Sequence, residues 1–356
     1  MSSRKKHPAG SSEHPAIQRN RRAVQRQING KTFCTSISPC NRRLIFAHLL
    51  SLVFAIVHQS FGWPEVFYVI YGHPMNDRSV YEYQILYRDL RTDYISNFHG
   101  LMYFTHEWLW SYLLSYLNRT LGYSPEQIFC VITTIVLVRF SVEIAIRAGW
   151  AYVILLYNPL VIDFAYSQLR LALAISILSL FWDGQRGKPV TIAAYVVCTA
   201  LHTAVALFAV LHIAANWLSL PTRRNLLLLC LTGVLLALAI GPLREVILAY
   251  LGDRRVEYPD MGSTVSYLSF WIVMWALLLY KWHATMNSID GRYALMILSL
   301  VAANLITGGY STRFIAASFP SLVIAMRKWE PKSINLLILL FVLYASLQWF
   351  YWLKLV

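Results

Sequence analysis

Residues 44–62 read LIFAHLLSLVFAIVHQSFG, a run with no Asp, Glu, Lys or Arg that as a helix would span most of a ~30 Å hydrocarbon layer. The residues before it are of opposite character. Arg4, Lys5, Lys6, Arg19, Arg21, Arg22, Arg26, Lys31, Arg42 and Arg43 stand against Glu13 alone. Positive residues beside a span stay on the cytoplasmic side, so residues 1–43 are expected to form a disordered, cytoplasmic basic tail that touches anionic lipids. Nucleic acid is not an expected partner, because no folded basic surface accompanies the tail.

Forward of residue 62 the same signal recurs. Of the 356 residues, 57% are hydrophobic and only 13% charged, and the mean hydropathy is +0.49, which is the balance of a chain whose solvent is lipid. Only helices or closed barrels satisfy the backbone there, and these runs have helical length. Further spans are read at about 126–146, 149–165, 168–183, 225–242, 264–282, 293–309, 313–327 and 333–352. The expected fold is all-α, a polytopic integral membrane protein with about nine to eleven transmembrane helices in one domain over residues 44–356. Residues 63–125 are expected as an outer loop ending in an interfacial helix over 101–117 (LMYFTHEWLWSYLLSYL), and residues 243–263 as a second outer loop.

Residues 190–218 admit two readings, one tilted helix or a re-entrant hairpin turning near His202. Charge favours the hairpin. It leaves Arg147, Arg186, Lys188, Arg223, Arg224, Lys281, Arg292, Arg327, Lys328 and Lys332 inside with the tail, whereas a single crossing would invert every later loop. The cations left outside, among them Arg78, Arg170, Arg244, Arg254, Arg255 and Arg313, are all arginine, the residue suited to planar, bidentate binding of anionic oxygens.

Within this frame a few polar side chains stand out because lipid makes them costly. Arg170 opens LRLALAISILSLFW close to Asp163, Tyr166 and Gln168; it either snorkels to the interface or helps build a polar site. His202 lies inside AAYVVCTALHTAVALFAVLH, as a packed core group or as a base that titrates near neutral pH. Glu107 sits among aromatic residues, and Arg313 follows GGYST. Cys34, Cys40, Cys130, Cys198 and Cys230 lie in the tail or in apolar runs, so no disulfide framework and no metal-ligand spacing is read, and no metal is expected. Neither a Walker-type loop nor a Rossmann glycine pattern is present, and no cofactor is expected.

These segments, over roughly residues 75–330, resemble the EpsG family of bacterial membrane proteins, related to the Wzy-type polysaccharide polymerases. The matching pieces are Asp77 and Tyr81 in an Asp-x-x-x-Tyr element, Glu107 ahead of GYSP at 122–125, the LRLALAI run with Arg170, the Ala200-Leu201-His202 element, and Arg313 followed by Pro320. The chain differs from the family in its long basic tail and in a first loop without the compact Gly-Asp-Tyr form. The resemblance implies an enzyme of the bacterial plasma (inner) membrane that joins polyprenyl-diphosphate-linked oligosaccharides into exopolysaccharide, capsule or O-antigen at the outer face, by inverting, metal-independent glycosyl transfer. His202 or Glu107 would be the base, Arg170 and Arg313, helped by Arg254 and Arg255, would hold the diphosphate, and Asp77 and Tyr81 would contact substrate. A flippase and chain-length or export proteins would be its partners. Three alternatives remain: a multi-span glycosyltransferase using a polyprenyl-phosphate sugar, with Asp77 or Glu82 as base, a transporter of the lipid-linked sugar, and a structural subunit of an envelope assembly.

Overall fold

The computed structural model describes residues 39–87, 107–182, 188–250, 265–308, 311–328 and 331–353. The chain divides into two units, Met1–Phe46 and Ala47–Val356, and everything below concerns the second unless stated. All regular structure among the described residues is helical. The helices, in order, are α1 (Pro39–Gln59), α2 (Trp63–Tyr71), α3 (Asn76–Leu86), α4 (Trp108–Ser115), α5 (Pro125–Arg147), α6 (Pro159–Tyr166), α7 (Leu169–Ser179), α8 (Lys188–Leu201), α9 (Val205–Trp217) and α10 (Arg223–Ile240). There follow α11 (Pro242–Tyr250), α12 (Val265–Tyr280), α13 (Trp282–Met286), α14 (Ile289–Thr307), α15 (Ser311–Ala317), α16 (Phe319–Arg327) and α17 (Pro331–Trp352).

Four stretches are long and apolar enough to cross a membrane: Arg43–Tyr71, Pro125–Arg147, Arg223–Arg244 and Ile289–Thr307. A fifth is the pair α6 and α7 if counted together, although the two are bent by 97°. Pro189–Leu201, Val205–Trp217, Leu268–Tyr280 and Ile338–Trp352 are shorter apolar helices.

Three of the expected spans differ in detail. The first does not stop at Gly62: that glycine takes the left-handed conformation (φ 57°) and kinks the chain, after which Pro64 in the first turn restarts the helix to Tyr71. Residues 149–165 are not one helix. A 3₁₀ stretch, Trp150–Leu156, gives way at Asn158, whose side chain accepts a hydrogen bond from Leu160 N (2.8 Å) and caps α6. The run at 313–327 breaks at Ser318, where Pro320 opens α16.

Local signals account for the regular helices. At the start of α5, Ser124 and Gln127 form a reciprocal capping box (Gln127 N to Ser124 Oγ 3.3 Å, Ser124 N to Gln127 Oε1 2.9 Å). At the centre, α14 is buried on most sides against α10, α12, α9 and α16. Its contact with α10 depends on Gly233, where a Cβ would lie 2.3 Å from the Met296 carbonyl oxygen. Small residues of this kind let helix backbones approach in lipid. Gly233→Val is therefore expected to destabilise the fold by roughly 1–3 kcal/mol, seen as a lower melting temperature in detergent, while Leu235→Ala on the exposed side of α10 leaves it nearly unchanged.

α8 and α9 fold back on one another. Tyr195 on α8 hydrogen-bonds His212 on α9, side chains that a continuous helix would hold far apart. His212 also contacts the Trp182 carbonyl oxygen through Nε2 (3.0 Å) and stacks on the Trp182 ring (centroids 4.4 Å apart). The turn between the two arms is His202-Thr203-Ala204.

Candidate functional site

The hairpin turn, the elbow between α6 and α7, the start of α4 and one face of α3 meet at a single cluster of polar side chains. Its centre is Glu107. One carboxylate oxygen, Oε2, pairs with the Arg170 guanidinium at the head of α7. The other, Oε1, accepts from His202 Nδ1, from Thr203 N–H (3.2 Å) and from the Thr203 hydroxyl (3.3 Å). Glu107 is only 7% exposed, so this carboxylate ties two separate parts of the chain together within the protein.

Its backbone is unusual as well. Glu107 has φ 55° and ψ 49°, and it is the one non-glycine residue with positive φ among those described. A left-handed glutamate persists only where surrounding contacts hold it, and such positions concentrate at functional sites. Burial alone would raise the carboxyl pKa, but the hydrogen bond and charge of His202, the charge of Arg170 and the Thr203 N–H outweigh it, holding the group at about 2. Glu107 is thus ionised at every working pH. Any stability it contributes is present above the ordinary glutamate pKa and is lost as pH falls towards 2.

An ionised carboxylate can only accept, so His202 Nδ1 carries the proton of this bond. In the neutral ring Nε2 then holds the lone pair, and among the described residues Nε2 has no hydrogen-bond partner. A carboxylate that fixes a histidine tautomer in this way is the arrangement by which hydrolases orient a general base.

α3 supplies the next layer. The Arg170 guanidinium carbon lies 5.4 Å from the centroid of the Tyr81 ring. Tyr81 packs edge-on to Trp110 of α4 (5.1 Å). Burial pushes the Tyr81 phenol up to about 12, so it remains a neutral donor. One turn earlier on α3, Asp77 receives a hydrogen bond from Arg313 of α15 (3.1 Å), residues separated by 236 positions in sequence. Arg170 Nε and Trp110 Nε1 are buried donors without a partner in this cluster.

Six side chains singled out in the sequence therefore meet here: Asp77, Tyr81, Glu107, Arg170, His202 and Arg313. Arg254 and Arg255, expected to assist at the diphosphate, lie outside the described residues. Two contributors carry no marked role in the sequence: Thr203, a neutral residue beside His202, and Asp163, which stands there only as a polar neighbour of Arg170. Asp163 accepts a hydrogen bond from Gln168 Nε2 (3.0 Å) and lies within electrostatic reach of Asp77 and Arg313. No group of three or more His, Cys, Asp or Glu among the described residues is placed to hold a metal ion.

Compared with protein-family models, with curated proteins and with solved structures, the chain gives no match.

Proposed function

We propose that the protein joins polyprenyl-diphosphate-linked oligosaccharides into a longer glycan at the outer face of a bacterial plasma membrane. The observation that carries this reading is the Glu107–His202–Arg170 triad: an oriented base and a guanidinium, bridged by one carboxylate, in a predominantly apolar helical protein. That is the equipment needed to take a proton from a hydroxyl while stabilising charge on a departing phosphate. On this reading the basic tail lies in the cytoplasm on anionic lipid, α8 and α9 form a re-entrant hairpin, and the short helices around the four to five longer ones make up the remaining spans.

His202, not Glu107, is the base. Glu107 is too weak a base, and both of its oxygens are engaged. In the step, His202 Nε2 takes the proton of the acceptor hydroxyl, whose oxygen bonds to the anomeric carbon of the donor sugar. The bond from that carbon to the diphosphate oxygen breaks on the opposite face, configuration inverts, and the leaving diphosphate departs with the electron pair. Arg170 faces that developing charge.

The direct test is a strain lacking the gene. It should lose long surface or secreted polysaccharide and accumulate single lipid-linked repeat units, and the wild-type gene should restore chain length. A repeat unit lacking one sugar would instead establish the monosaccharide-transferring alternative.

A further inference from the structure

Arg313 and Arg170 stand in different hydrogen-bonding surroundings. Arg170 pairs with Glu107, lies over the Tyr81 ring and is within electrostatic reach of Asp77, and its Nε, like Trp110 Nε1, is a buried donor with no partner, which suits the oxygens of an anion. Arg313 is bonded to Asp77 and lies within electrostatic reach of a second carboxylate, Asp163. Asp77 and Asp163 make a poor seat for a diphosphate, itself at least doubly negative, because like charges in a low-dielectric site repel strongly. They make a good seat for hydroxyl groups, which donate short, strong hydrogen bonds to carboxylates and accept from guanidinium and amide N–H.

The neutral groups beside this pole have matching chemistry. Gln168 donates its amide to Asp163 and is left with a carbonyl oxygen that has no partner, in a side chain only 8% exposed. Ser311, two residues before Arg313, is 1% exposed and its hydroxyl also lacks a partner. Acceptors and donors interleaved in this way fit a sugar ring, whose every hydroxyl both gives and takes a hydrogen bond. The two poles are joined by α3, which places Asp77 at one and Tyr81 at the other.

We propose that Asp163, Gln168, Asp77 and Arg313 form a sugar-hydroxyl subsite, so that Arg313 orients a neutral sugar of the lipid-linked substrate while the diphosphate lies at Arg170. This rests on the polymerase reading and divides its site into two parts with separable ligands. Asp163 and Gln168 are its specificity-determining residues.

The experiment compares two probes on the full-length protein in lipid nanodiscs: a polyprenyl diphosphate without sugar, and the same lipid bearing the host's repeat unit. Asp163→Asn keeps size and removes charge. It is expected to weaken the sugar-bearing probe about tenfold and to leave the sugar-free probe within about twofold, whereas Arg170→Lys weakens both. Gln168→Glu, a second variant in case Asp163→Asn folds poorly, is expected to show the same selective loss. Equal weakening of both probes by Asp163→Asn or Gln168→Glu, or no weakening of either, overturns the subsite. Failure of the wild-type protein to bind either probe overturns the polymerase reading and the subsite with it.

Discussion

His202→Ala is expected to lower the rate of glycan extension by roughly 10²- to 10⁴-fold, the usual contribution of a positioned general base, while the KM for the lipid-linked donor stays within a few-fold. The split follows from the geometry. His202 is held by Glu107 at Nδ1, its Nε2 has no hydrogen-bond partner among the described residues, and it makes no ion pair with Arg170, to which the proposed mechanism gives the diphosphate. It therefore acts on the proton in flight, more than on ground-state binding. A pH profile separates this from simple misfolding. Because Glu107 stays ionised down to about 2, an acid limb at higher pH comes from His202 or from Asp163, and the response to Glu107→Gln tells them apart, since His202 is bonded to Glu107 and Asp163 is not. The negative charge of Glu107 favours the imidazolium, so Glu107→Gln should move that limb to lower pH while also reducing the plateau rate. An unshifted limb in Glu107→Gln would mean that His202 is not the titrating base, and a rise in KM alone in His202→Ala would move the residue into substrate binding.

Much of this cluster could be read before any coordinates, for a physical reason. In a chain whose solvent is lipid, a charge inside an apolar run is expensive, so Arg170, Glu107, His202 and Arg313 announce themselves by position. Asp163 is a charge of the same kind, and it drew no role because its partner is supplied by folding. Only the 97° elbow after Tyr166 turns Gln168 back onto it and brings it near Arg313, and that bend depends on tertiary packing. The same holds for the backbone of Glu107, since no local pattern marks a glutamate for the left-handed region. Span counting suffered for a related reason. Apolar composition extends through 149–165 and 313–327, but caps at Asn158 and the proline after Ser318 divide these runs into helices too short to be distinguished by hydropathy alone. Loop charge favours the hairpin over a single crossing, and the Tyr195–His212 contact supports the same folding back from a different direction.

Arg170→Ala is expected to cost on the order of 10²- to 10³-fold in kcat, about 2.7–4 kcal/mol for one lost donor to a developing anion. Lysine should recover little of it. Arg170 engages Glu107 and the Tyr81 ring face at once, and a compact ammonium cannot reproduce a planar guanidinium at both. The variant also releases one oxygen of Glu107, so a fall in rate could in principle arise at His202. The leaving group distinguishes the two. A donor whose leaving group departs with less negative charge needs less help from a guanidinium, so the penalty of Arg170→Ala should shrink towards unity with such a donor, whereas the penalty of His202→Ala, which concerns the acceptor's proton, should persist. If both penalties shrink together, the two side chains act as one unit and the division of labour between base and anion stabiliser is wrong. If neither shrinks, Arg170 serves by positioning Glu107, and the diphosphate must be held by other residues.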